Sequence, residues 1–168
     1  METKEKKKAE QLSDLMLLGG YKLVGVPFKM KMSTKSVLGM VTERGYMGKK
    51  GSNFVCDVSE EDATVFQRIN SKYSKPKEGY YTFGIKDGKK VPKYWLDYHI
   101  GTGNGELFPE SHAFFEFDIA IWKIKEGSLF ALAGKKIAIP VRGTKDSDVI
   151  FVSEDPRYPI FNIVEEKQ

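Results

Sequence analysis

Apolar and polar positions alternate along much of this chain. Phe28, Met30 and Met32 share one parity, with Lys29 and Lys31 between them, as a strand with one buried face requires. Ile137, Ile139 and Val141 repeat the pattern within Lys136–Val141, and Val149–Val152 and Ile160–Val164 add short apolar runs. Tyr21–Val26, Ser36–Thr42, Phe54–Val58 and Leu129–Ala133 are rich in β formers and read as further strands. The longest strand candidate is Ala113–Ile124, where Phe115, Phe117, Ile119 and Ile121 make one uninterrupted apolar face.

Two segments read as helices. In residues 1–18, Leu12, Leu15 and Met16 fall at helical spacing, residues 1–10 are a charged, frayed start, and Gly19-Gly20 stops the run. The second opens at Ser59-Glu-Glu-Asp62, where Ser59 caps and the acids face the positive helix end. Val65, Phe66 and Ile69 would form its buried stripe before it ends near Tyr73. Two helices and eight to ten short strands, without the crossover helices a parallel sheet needs, predict an α+β fold. The expected form is a single domain over 1–168: a mostly antiparallel, strongly twisted sheet or half-open barrel with two helices packed on it.

Punctuation adds one distinctive element. Asp87-Gly88 is a signal for a two-residue type I′ turn, and it predicts a hairpin of Tyr80–Ile85 with Val91–Leu96. The surrounding stretch, Lys72–Tyr98, interleaves Lys72, Lys75, Lys77, Lys86, Lys89, Lys90 and Lys93 with aromatic residues. Arg44–Gly51 reads as a glycine-punctuated basic loop that lacks the phosphate-loop spacing, and Gly101–Gly105 as a flexible connector.

Charge sharpens that reading. The net charge of +4 divides into +7 over residues 1–98 and −3 over residues 99–168. Nearly all the basic residues are lysines, which suit phosphate contact better than bidentate base reading. A basic hairpin with stackable rings predicts a non-enzymatic protein that binds DNA or RNA and modulates transcription. Phosphate contacts would come from Lys49, Lys50, Lys72, Lys75, Lys77, Lys86, Lys89, Lys90 and Lys93. Tyr80, Tyr81, Tyr94 and Trp95 would offer stacking faces, about half of the hairpin's aromatics being committed to the core by strand parity.

Two alternatives stand beside it. One is a protein-directed modulator of a host enzyme such as a polymerase or nuclease. The other is a Mg²⁺-dependent nuclease, in which Glu116 and Asp118, with Glu110 and His112 on the same parity, would flank a cation. The plain reading of those carboxylates is the solvated face of an antiparallel strand, so neither a resident metal nor a cofactor is expected. Cys56 is the single cysteine, which excludes an intrachain disulfide. No apolar run approaches a membrane span and no leader is legible, so a soluble cytoplasmic protein is expected. In style, as a small lysine-rich and arginine-poor domain, the chain resembles the small accessory proteins of large bacteriophages, a likeness that implies no particular activity.

Overall fold

Twelve strands and no helix make up the described part of the computed structural model, residues 22–70, 79–88, 92–100, 105–111, 120–133 and 137–168. They are β1 (Lys22–Lys35), β2 (Val41–Lys50), β3 (Asn53–Val58), β4 (Phe66–Asn70), β5 (Thr82–Ile85) and β6 (Tyr94–Ile100). β7 (Gly105–Ser111), β8 (Trp122–Lys125), β9 (Ser128–Ala133), β10 (Ile137–Gly143), β11 (Ile150–Val152) and β12 (Phe161–Lys167) follow. Nine of them close an antiparallel barrel in the order β1, β12, β9, β10, β11, β7, β6, β5, β4 and back to β1. β2 and β3 continue the sheet from the second half of β1, and β8 pairs with β9.

The length and bend of β1 make this closure work. Its first part, Lys22–Val24, pairs with β4, and its later part, Phe28–Thr34, pairs with β12. The β4 register shifts between Val24 and Phe28, where Gly25 has φ +71° and Pro27 has no N–H to give the ladder. From Lys31 onward β2 takes over as its neighbour on that side. One strand thus changes partners along its length, serving the barrel and also carrying the β2–β3 extension.

Each of the twelve strands sends at least one buried apolar side chain into a single core. Alternation decides which: Met30 and Met32, Ile150 and Val152, and Phe161 and Ile163 point inward in turn. Trp122 lies in this core with its indole N–H donating to the Leu96 carbonyl at 3.0 Å. Its backbone exchanges two hydrogen bonds with Tyr81, at 2.7 and 2.8 Å.

The α+β expectation is therefore corrected to an all-β fold. The Ser59 segment shows why. Ser59 does cap, its Oγ accepting the Asp62 N–H at 3.3 Å, but the turn is not propagated. From Phe66 the chain is strand, paired with β1 on one side and β5 on the other. Phe66 and Ile69 are buried as expected, but on opposite faces of a strand. The other predicted helix, 1–18, lies outside the described residues. Among the described residues no helix is long and apolar enough to cross a membrane.

Other expectations are refined or corrected. Tyr21–Val26 and Phe28–Met32 belong from Lys22 onward to one strand, bulged rather than broken around Pro27. Arg44–Gly51 is mostly strand β2, with the turn only at its end, where Gly51 has φ +62°. Ser36–Thr42 contains a turn followed by the start of β2. β5 and β6 are antiparallel neighbours through Gly84 and Trp95, but their connection spans Lys86–Lys93. A type I′ turn needs positive φ at both centres; Gly88 has φ +81°, Asp87 does not. Asp87 Oδ2 instead accepts the Lys93 N–H at 2.9 Å, bracing a wider loop.

Candidate functional site

Only part of the basic aromatic platform expected from sequence falls among the described residues. Trp95 is buried, and Lys93 is nearly so. Tyr81 is half-buried, packs against the core and lies under the Arg68 guanidinium. Tyr80 is half-buried with the Lys123 ammonium 5.6 Å from its ring centre. Tyr94 remains exposed, as do Lys49 and Lys86. Lys50 is exposed but ion-paired with Asp148 at 3.0 Å. Lys49 and Lys50 end β2, whereas Lys86 sits in the β5–β6 loop with its N–H on the Val65 carbonyl at 2.9 Å. Lys72, Lys75, Lys77, Lys89 and Lys90 lie outside the described residues, as do His112, Glu116 and Asp118.

Glu110 is described, and it neighbours a different carboxylate. On β6 and β7, Asp97 stands opposite Phe108 and Trp95 opposite Glu110. Burial pushes the Asp97 carboxyl up to about 6, Glu110 adds to the rise, and the Tyr98 N–H at 2.8 Å opposes it. His99, exposed on the same strand, stacks on Phe108 at 4.0 Å. Among the described residues no group of three metal-ligating side chains converges.

The most unusual surface lies elsewhere, at the tip of the β1–β2 hairpin. Val37 is 105%, Leu38 91%, Met40 71% and Val41 60% exposed. The turn that carries them is tightly bonded. The Ser36 N–H donates to the Met40 carbonyl at 2.8 Å, and the Gly39 N–H to the Ser36 carbonyl at 2.9 Å. The Met40 N–H donates to Ser36 Oγ at 3.0 Å, and Gly39 takes φ +87°. The apolar side chains are thus presented on a fixed backbone rather than on a slack loop.

A cavity of about 350 Å³ lies beneath this hairpin. Thr34 and Thr42, which face each other in the β1–β2 register, line it with Ser36 and Met40. Lys35 and Arg44 join them from the hairpin, and Lys145 and Pro159 close it from the connections flanking β11. Arg44 fixes the hairpin to that opposite wall. Its Nη1 donates to the Thr144 carbonyl at 2.7 Å and its Nη2 to the Ser147 carbonyl at 2.6 Å. Its Nη2 also meets Asp57 Oδ2 at 2.9 Å and Cys56 Sγ at 3.1 Å. Hydrogen bonding by Arg44 holds the Asp57 carboxyl below its usual range, while burial pushes the Cys56 thiol up to about 12. A buried thiol held in its neutral form is a packing residue, not a nucleophile.

Sequence reasoning missed this tip because Val37-Leu38-Gly39-Met40 reads as strand core when its neighbours are unknown. The available signal was Ser36 three residues before Gly39, which suits a turn closed by a hydroxyl. Compared with known protein families, curated proteins and solved structures, the chain matches none.

Proposed function

We propose that this is a binding protein that docks onto another protein through the β1–β2 hairpin tip. The observation that carries the reading is the exposure of Val37, Leu38, Met40 and Val41 together on one hydrogen-bonded turn. Scattered apolar side chains on a surface need no explanation, but a contiguous cluster on a protruding turn marks a contact site. Each such side chain gains about 1.5–3 kcal/mol when a partner buries it fully. The bonded turn lowers the ordering cost that a loose loop would bring to association. The test is a pull-down from cells that contain the partner, with the parent chain and a Leu38→Asp variant, with and without nuclease. The expected result is a discrete protein set kept by the parent under nuclease and lost by Leu38→Asp. Equal retention by both chains would remove the tip from the argument.

Nucleic-acid binding stays as a second reading, supported by the exposure of Tyr94, Lys49 and Lys86. It predicts that affinity for short labelled DNA falls with salt at about −0.9 log units per log unit for each phosphate neutralised on duplex, and about −0.7 on single strands. No binding at low salt would dispose of it.

A further inference from the structure

We propose that the cavity under the β1–β2 hairpin receives an acidic side chain of the docked partner, so that the partner segment carries a carboxylate beside apolar residues. This rests on the tip-docking reading and adds the partner's chemistry to it. The cavity's lining contains three cationic side chains and no carboxylate. Arg44 is already neutralised by Asp57, so the uncompensated charge belongs to Lys35 and Lys145. Among the described residues neither has an ion-pair partner. Strand alternation keeps the nearest hairpin acid away, since Glu43 points from the face opposite to Thr42 and Arg44.

The remaining lining suits a carboxylate with an apolar neighbour. Ser36 Oγ accepts the Met40 N–H, which leaves its own proton to donate. Thr34 and Thr42 add two more hydroxyls, while Met40 and Pro159 supply apolar wall. The cavity opens beside the exposed tip, Met40 belonging to both. At about 350 Å³ it is at the small end of ligand sites, the scale of one or two side chains rather than a cofactor. An acidic protein segment fits these features better than a polyanion, because the exposed side chains described at the adjoining tip, Val37, Leu38, Met40 and Val41, are apolar and offer no ring on which a base could stack.

The experiment is selection of random displayed peptides on the parent chain, on a Lys35→Glu/Lys145→Glu variant and on Leu38→Asp. Thermal unfolding serves as the folding control, and Lys35→Gln/Lys145→Gln stands in if charge reversal perturbs the fold. The parent is expected to enrich peptides with Asp or Glu next to apolar residues. A synthetic peptide of that consensus should bind the charge-reversed variant about tenfold more weakly. Its Lys-substituted counterpart should regain binding there. Selection of purely apolar peptides, or equal affinity for both chains, would overturn the proposal. So would lysine-dependent binding to phosphatidylserine vesicles or to labelled DNA without acidic-peptide binding. The two readings fail separately. If Leu38→Asp abolishes partner capture while selection shows no acidic preference, docking stands and the cavity's role falls. If acidic peptides bind regardless of the tip variant and partner capture survives it, the cavity stands and tip docking falls.

Discussion

Arg44 shows how a single residue can be read wrongly for sound reasons. It opens Arg44–Gly51, which reads from sequence as a glycine-punctuated basic loop, yet it is the buried clasp of the β2–β3 ribbon. Its guanidinium satisfies two carbonyls, a carboxylate and a thiol that come together only in the fold. The backbone at the other end is equally particular. Asp57 has φ +63°, and a Cβ on Gly45, itself at φ +56°, would stand 2.9 Å from Asp57 Cα. Arg44→Met should therefore cost about 2–4 kcal/mol in urea unfolding, because two carbonyls lose a charged donor. The upper end is avoided because Asp57, 46% exposed in its side chain, can return to water. The pair also sets a pH response. Since Arg44 lowers the folded Asp57 pKa, its stabilisation is full above the unfolded value near 4 and fades as acid protonates the folded carboxylate. Asp57→Asn should flatten that acid limb of a stability-against-pH curve.

At the scale of elements, alternation was legible wherever one face is buried and the other wet. Phe28, Met30 and Met32 read as one buried parity, and all three lie in the core. Legibility failed where two periods fit equally. Phe66 and Ile69 satisfy helical spacing, but β1 and β5 offer hydrogen bonds along both edges of that segment, and tertiary pairing overrode local preference. The β5–β6 connection failed for another reason: the Asp87 side chain reached the Lys93 N–H, a contact that spacing alone does not reveal. The exposed tip was invisible because whether an apolar residue lies in a core or at a turn depends on chain that arrives more than a hundred residues later. The β6–β7 pair carries its own test. Asp97 has its folded pKa raised to about 6, opposite in sense to Asp57. The folded state then holds its proton more tightly than the unfolded chain. Stability is greatest below pH 4 for this group and declines as pH rises through about 6. Asp97→Asn should abolish that decline and stabilise the protein at pH 7.5 by about 2 kcal/mol, with little effect at pH 4. Chemical denaturation of both chains at the two pH values measures it.

The whole molecule is held as a ring, and one of its narrow joins lies between β12 and β9. β12 pairs with β1 over seven positions, from Phe28 with Lys167 to Thr34 with Phe161. On its other side it meets β9 only at Asn162 and Ser128, helped by the Ile163 N–H on the Gly127 carbonyl at 2.5 Å. The last strand therefore zips onto the first described one, and the barrel closes across a narrow seam. Closure must bring together segments far apart in sequence, so the loop-entropy cost falls before the pairing energy arrives. Removing residues 161–168 would delete Phe161 and Ile163 from the core and leave β1 with an open edge. It would also take Glu165 from Arg68, leaving a guanidinium among Phe28, Tyr81 and Phe83 without its carboxylate. This truncation should abolish cooperative thermal unfolding, where loss of a mere tail would shift the midpoint by a few degrees. The seam itself is probed more gently by Gly127→Ala. Gly127 has φ +81°, and an added Cβ would run into Asn162 Oδ1, the residue that makes the one register pair. The variant should still fold, because the seven β1–β12 pairs persist. Amide exchange at Ile163 should nevertheless accelerate far more than at Met32, its neighbour across the intact ladder. Equal protection at both positions would mean that the ring opens as one unit rather than at this join.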